Sequence, residues 1–90
     1  MSAVSREVAI SNKRGLHARA SAKFVAMASA LDAQIEVEKE GNRVCGTSIM
    51  GLMMLGAAMG DTIVIHVEGA EAEAALTQLV ELVETKFGED

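Results

Sequence analysis

Proline, tryptophan and tyrosine are absent from this 90-residue chain, which has only two phenylalanines and one cysteine. A single cysteine cannot close an internal bridge, so a disulfide scaffold is excluded. With so few large rings, the core must be aliphatic and methionine-lined. Basic charge is also scarce: 8 Lys and Arg stand against 13 Asp and Glu, a formal net charge of −5. That balance offers no patch to neutralise a phosphate backbone and argues against nucleic acid as a ligand. The longest apolar run, Ile49 to Met59, is too short to span a membrane and holds two glycines. The segment from Met1 to Glu7 has no hydrophobic stretch of the secretory type. A soluble, cytoplasmic protein without membrane insertion is expected.

Half of the residues are hydrophobic. With so modest a net charge, that content argues against disorder. Residues 1–90 are read as one domain, able to bury roughly two-thirds of its extended surface. Val8 and Ile10 put a first strand over Ser5 to Ile10. The period then changes, and Phe24, Val25, Ala28 and Leu31 fall at helical spacing between His17 and Leu31. Gln34 to Glu38 alternates cleanly, with Ile35 and Val37 inward. Glu40-Gly41-Asn42 suits a hairpin turn into Arg43-Val44-Cys45. Thr47 or Ser48 is positioned to cap a short helix from Ile49 to Leu55. Thr62 to Glu68 presents Ile63, Ile65 and Val67 on one side. Ala72, Ala75, Leu76, Leu79, Val80, Val83 and Phe87 make one stripe of a last helix, Glu71 to Phe87. Glu71 and Glu73 in its first turn and Lys86 in its last would match the helix dipole.

The order β-α-β-β-α-β-α predicts an α/β two-layer, open-faced sandwich, with three helices covering one face of a four-stranded sheet. The crossover through the first helix makes strands one and two parallel, with room for strand four between them.

Chemistry points to the junction of the first loop and first helix. The segment Lys13-Arg14-Gly15-Leu16-His17-Ala18-Arg19 is basic within an acidic chain whose acids crowd between Glu68 and Asp90. Histidine is a poor helix cap, so His17 would leave the first backbone N–H groups free for another acceptor. Arg19 adds a charge-assisted donor, and the positive helix end favours a neutral, nucleophilic imidazole. These features suit a histidine that accepts and holds a phosphoryl group, as well as a plain turn followed by a helix start. No Walker-type glycine loop is present, so the phosphoryl group would be received rather than made from a nucleotide.

Other features weigh less. The uncharged run Ser48 to Leu55 exceeds what one small helix can bury, so some of Ile49, Met50 and Met53 should be exposed as an adaptable contact surface. Gly51 inside that helix costs about 1 kcal/mol relative to Ala and hints at a close approach. Cys45 reads as inert packing, since no second thiol or basic group stands near it in sequence. His66 falls on the strand face opposite Ile63 and Ile65. Two distant histidines and one cysteine form no zinc signature; no metal and no cofactor are expected.

The segment Asn12-Lys13-Arg14-Gly15-Leu16-His17-Ala18-Arg19-Ala20-Ser21-Ala22-Lys23 resembles the active-site segment of the HPr phosphocarrier family. Ser48-Ile49-Met50-Gly51-Leu52-Met53-Met54-Leu55-Gly56 resembles the family's second signature. The likeness spans nearly the whole chain and looks nearest the nitrogen-related branch of the phosphotransferase system. It implies a four-stranded antiparallel sheet. It also implies phosphorylation of His17 on Nδ1 by enzyme I, which draws on phosphoenolpyruvate, and donation to an enzyme IIA-type acceptor. Arg19 would steady the phosphate. Ser48 would match a regulatory serine modified by an HPr kinase/phosphorylase, and Ile49, Met50 and Met53 would belong to the docking surface. Two positions depart from the common pattern. Ala20 stands where many members have proline, and Thr47 where many have lysine, which removes a charge and adds a competing hydroxyl beside Ser48. A carrier of this kind is expected to act as a monomer and not as a stand-alone enzyme. The alternative is a small regulatory or metabolite-binding module without covalent chemistry.

Overall fold

Residues 2–89 are described in the computed structural model. The elements are β1 (Ser2–Ala9), α1 (Ala18–Ala30), β2 (Gln34–Lys39), β3 (Asn42–Cys45), α2 (Ile49–Met54), β4 (Thr62–Gly69) and α3 (Ala72–Glu84), then a 3-10 turn at Lys86–Gly88. The sheet order is β1-β4-β2-β3, and every neighbouring pair is antiparallel. Since β1 and β2 both oppose β4, they run parallel to each other with β4 between them, as the crossover through α1 requires.

One sheet face carries the core. Val8 lies opposite Ile63 and Val37 opposite Ile65, and all four are buried together with Ile35 and Val67. From α1 come Ala20, Phe24 and Ala28; from α3 come Ala72, Ala75, Leu76, Leu79, Val80 and Val83. Each large aliphatic side chain buried this way contributes about 1.5–3 kcal/mol of transfer free energy. Among the described residues the rings inside are Phe24 and Phe87; α1 seats itself on the sheet through Phe24 and small alanines, and α3 through its leucines and valines. The opposite sheet face has no helix over it among the described residues. There Arg43 Nε pairs with Glu36 at 2.9 Å, and His66 Nε2 meets Glu38 Oε1 at 2.8 Å.

Three local expectations are corrected. First, α3 stops at Glu84. Lys86 and Phe87 both take left-handed backbone angles, with φ of 61° and 56°. The Thr85 hydroxyl donates to the Glu81 and Leu82 carbonyls, satisfying acceptors that another helical turn would have used. The left-handed turn costs about 1–2 kcal/mol per residue, which burial of Phe87 and the bonds closing the turn offset. Lys86 is therefore outside the helix and does not complement its dipole. Second, Glu71 is the residue before α3 and makes no side-chain cap bond. Third, Cys45 is exposed, not packed. It lies opposite Glu36 on the uncovered face, with Sγ 3.0 Å from Thr47 Oγ1.

No helix among the described residues is long and apolar enough to cross a membrane.

Candidate active site

The loop before α1 is shaped by Gly15. Its φ is +65°, and a Cβ there would stand 2.2 Å from the Ala57 carbonyl oxygen. Only glycine permits both the left-handed angle and this approach. The same carbonyl accepts from Leu16 N at 2.9 Å, joining the chain after α2 to the residue before His17. Leu16 is buried beneath the loop. Ser21, buried on α1, donates its hydroxyl to the Leu16 carbonyl at 3.1 Å. The backbone at position 17 is thus tied down on both sides.

His17 is the N-cap of α1. Its Nδ1 accepts from Arg19 N at 3.3 Å, and its carbonyl accepts from Ser21 N at 2.9 Å. The first-turn amides are therefore not all free, as the sequence suggested; one is spent, weakly, on the imidazole itself. The other ring nitrogen has a closer partner, with Nε2 2.6 Å from Glu89 Oε2. A carboxylate can only accept here and a backbone amide can only donate, so the two contacts together place the ring proton on Nε2 and leave a lone pair on Nδ1.

Glu89 reaches this place because the chain folds back after α3. Phe87 is buried, and Lys23 Nζ donates to its carbonyl oxygen at 2.7 Å. Asn12, fully buried, donates from Nδ2 to both Gly15 O at 2.8 Å and Glu89 Oε1 at 3.1 Å. Its Oδ1 has no partner among the described residues. Turning the amide over would satisfy neither the Gly15 carbonyl nor the Glu89 carboxylate, so this orientation is the one its surroundings select. Desolvation pushes the Glu89 carboxyl pKa up. Hydrogen bonds from His17 and Asn12, with the nearby Lys23 charge, outweigh it and hold the group below its ordinary value.

Arg19 is exposed and, with Lys13, Arg14, Lys23, Gly88 and Glu89, lines a shallow basic depression. Ser48 is engaged as the cap of α2, its Oγ accepting from Gly51 N at 3.0 Å. The close approach expected at Gly51 is present: a Cβ there would lie 3.3 Å from Val44 Cβ on β3. On α2, Leu52 is buried, while Ile49, Met50 and Met53 are exposed by 40%, 70% and 41%. Met54 and Met59 extend the exposed apolar surface. Asn12 and Glu89 were assigned no role from sequence. The one signal for Glu89 was Gly88, a helix terminator directly after Phe87; nothing in the sequence connects positions separated by 72 residues.

A family model described as the PTS HPr component phosphorylation site matches residues 4–85. The phosphocarrier protein HPr of Neisseria meningitidis is 45% identical over 86 residues, covering 96% of this chain and 97% of that one. The phosphocarrier protein NPr of Shewanella violacea is 42% identical, covering 99% and 98%. Among solved structures, HPr from Thermoanaerobacter tengcongensis superposes with a TM-score of 0.89 at 46% identity, covering 100% of this chain and 99% of that one. A second structure from that organism, at TM-score 0.76 and 48% identity over 91% and 94% of the two chains, is of an HPr dimer.

Proposed function

The chain belongs to the HPr family of phosphocarrier proteins, and from that premise we propose that His17 is the residue that carries the phosphoryl group. The observation that supports this most directly is the ring's hydrogen bonding. Glu89 accepts a hydrogen bond from Nε2–H at 2.6 Å and Arg19 N donates to Nδ1 at 3.3 Å, so Nδ1 presents a lone pair. In the transfer, that lone pair attacks phosphorus on a phosphohistidine of enzyme I, charged from phosphoenolpyruvate. The Nδ1–P bond forms as the donor P–N bond breaks, and the donor ring keeps the released electron pair. The reverse sense of the same exchange passes the group to an enzyme IIA-type acceptor. Arg19 and the basic residues lining the depression beside it stabilise the phosphate's charge. His17 acts as a monomeric carrier's single transfer site, in the cytoplasm where such partners work.

Ile49, Met50 and Met53 serve as the docking surface in this reading. Gly15 and Leu16 touch Ala57, so the chain leaving α2 abuts the His17 loop and a partner can engage patch and histidine together. Ser48 is a regulatory position for an HPr kinase/phosphorylase. A phosphate there replaces a capping hydroxyl and sets negative charge beside the apolar patch, opposing docking.

Incubation with enzyme I and phosphoenolpyruvate, read by intact mass, tests the central claim. One phosphate-sized gain is expected, and none in His17→Ala. No gain in the wild-type protein, or an undiminished gain in the variant, would leave the non-covalent regulatory module as the better reading.

A further inference from the structure

We infer that Glu89 is a positioning residue for His17: it holds the imidazole with its proton on Nε2 and balances the positive charge the ring acquires as Nδ1 bonds to phosphorus. This rests on His17 being the phosphoryl acceptor.

The two contacts of the ring are unequal. At 3.3 Å the bond from Arg19 N to Nδ1 is long and weak, whereas Nε2 and Glu89 Oε2 are separated by 2.6 Å. An approaching phosphorus has to displace the Arg19 amide from Nδ1, and a long bond yields at small cost. The contact on the far side of the ring need not change. The imidazole is therefore presented for attack without rotation, pinned at Nε2 while Nδ1 reacts.

Glu89 is itself held by groups outside the ring. Asn12 donates to its second oxygen at 3.1 Å and is locked by the Gly15 carbonyl at 2.8 Å. The buried Phe87 ring and the bond from Lys23 to the Phe87 carbonyl anchor the turn that delivers it. A ring–carboxylate–amide chain results, in which each member is oriented by the next. When Nδ1 forms its bond to phosphorus, the donor P–N bond breaks and the electron pair leaves with the donor nitrogen. The Nε2 proton stays on the ring in its bond to Glu89, and the positive charge spread over the imidazole faces a carboxylate. A buried carboxylate stabilises the imidazolium of hydrolytic triads in the same manner, without itself taking the proton. Here the carboxylate comes from a segment that follows the last helix, so its service to the histidine depends on the turn at Lys86 and Phe87.

Phosphoramidate tests this without any partner protein. It transfers its phosphoryl group to an imidazole nitrogen as its own N–P bond breaks and ammonia leaves. In mildly alkaline buffer, intact mass should show Glu89→Ala gaining phosphate about tenfold more slowly than the wild-type chain, the loss expected for a charge-assisted hydrogen bond at a partly exposed site. Glu89→Gln should fall between them, because its amide oxygen still accepts the Nε2 proton but carries no charge. NMR of the His17 ring should show a slowly exchanging Nε2 proton in the wild type and Glu89→Gln, and its loss in Glu89→Ala. All three chains keep the buried Phe87 and should stay folded at the assay temperature, which circular dichroism checks. Equal rates and identical ring signals in the wild type and Glu89→Ala would overturn the inference while leaving His17 as the acceptor. A wild-type chain that takes no phosphate from phosphoramidate or enzyme I would instead remove the acceptor reading on which it rests.

Discussion

Lys23 and Phe87 stand 64 positions apart in the chain, yet Lys23 Nζ donates to the Phe87 carbonyl oxygen at 2.7 Å. The contact fastens the C-terminal turn to α1, the helix that His17 caps. Phe87 is buried on the core side of that turn, so the same residue supplies both packing and the anchor for Glu89.

Phe87→Ala should therefore destabilise the fold by about 3–5 kcal/mol through the cavity left in the core, and Lys86→Gly should act in the opposite sense. Lys86 takes a φ of 61°, and glycine there relieves a cost of about 1 kcal/mol. Urea unfolding of the two variants checks both signs.

The depressed pKa of Glu89 links the turn to pH. Desolvation raises it, but the hydrogen bonds from His17 and Asn12 and the nearby Lys23 charge lower it further. A carboxyl with a folded value below its unfolded one adds stability that is full above the unfolded value and is lost as pH falls through the folded one. Wild type and Glu89→Gln should then differ in stability near neutrality and converge in acid. Parallel curves across that range would show that Glu89 makes no net contribution through its charge.

Cys45 should alkylate at lower pH than an ordinary thiol. The Thr47 hydroxyl and then the Thr47 backbone N–H lower its pKa, more than desolvation and the Glu36 charge raise it. Thr47→Ala removes the larger influence and keeps the backbone one, so the midpoint of iodoacetamide reactivity should move up without reaching the value of a free thiol.

Gly15→Ala should cost more than about 2 kcal/mol and loosen His17 as well. The new methyl would meet the Ala57 carbonyl oxygen at 2.2 Å and the Ala58 Cα at 2.9 Å, at a φ of +65°. Thermal unfolding measures the first effect. Loss of the slowly exchanging His17 ring proton reports the second.

Met50→Glu and Leu52→Ala separate surface from core on the same short helix. Met50 is mostly exposed and Leu52 fully buried. Met50→Glu should leave stability within about 0.5 kcal/mol and weaken binding to enzyme I in titration calorimetry. Leu52→Ala should cost about 2–5 kcal/mol. Unfolding of Met50→Glu would place that side chain in the core and remove it from the docking surface.

Periodicity in the sequence was enough to locate four strands and three helices, because amphipathic spacing records which side chains a segment must bury. It also pointed to parallel first and second strands with room for the fourth between them, since a crossover through a helix returns the chain in the same direction; the full order came from the structure. Gly15, His17 and Arg19 were legible as a loop and helix start rich in donors, and Ile49, Met50 and Met53 as more apolar surface than one short helix can hide. Local pattern carries no record of partners far away along the chain. It extended the last helix through Phe87, because the ring falls on the same stripe as Val80 and Val83; only the packed structure shows the chain reversing there to bury that ring. It read Cys45 as packing, because a short strand does not reveal which of its faces is left uncovered. The meeting of Glu89 with His17 was decided by tertiary structure alone: a contact across 72 residues depends on where the folded core leaves the chain's end, and no spacing within either segment encodes that.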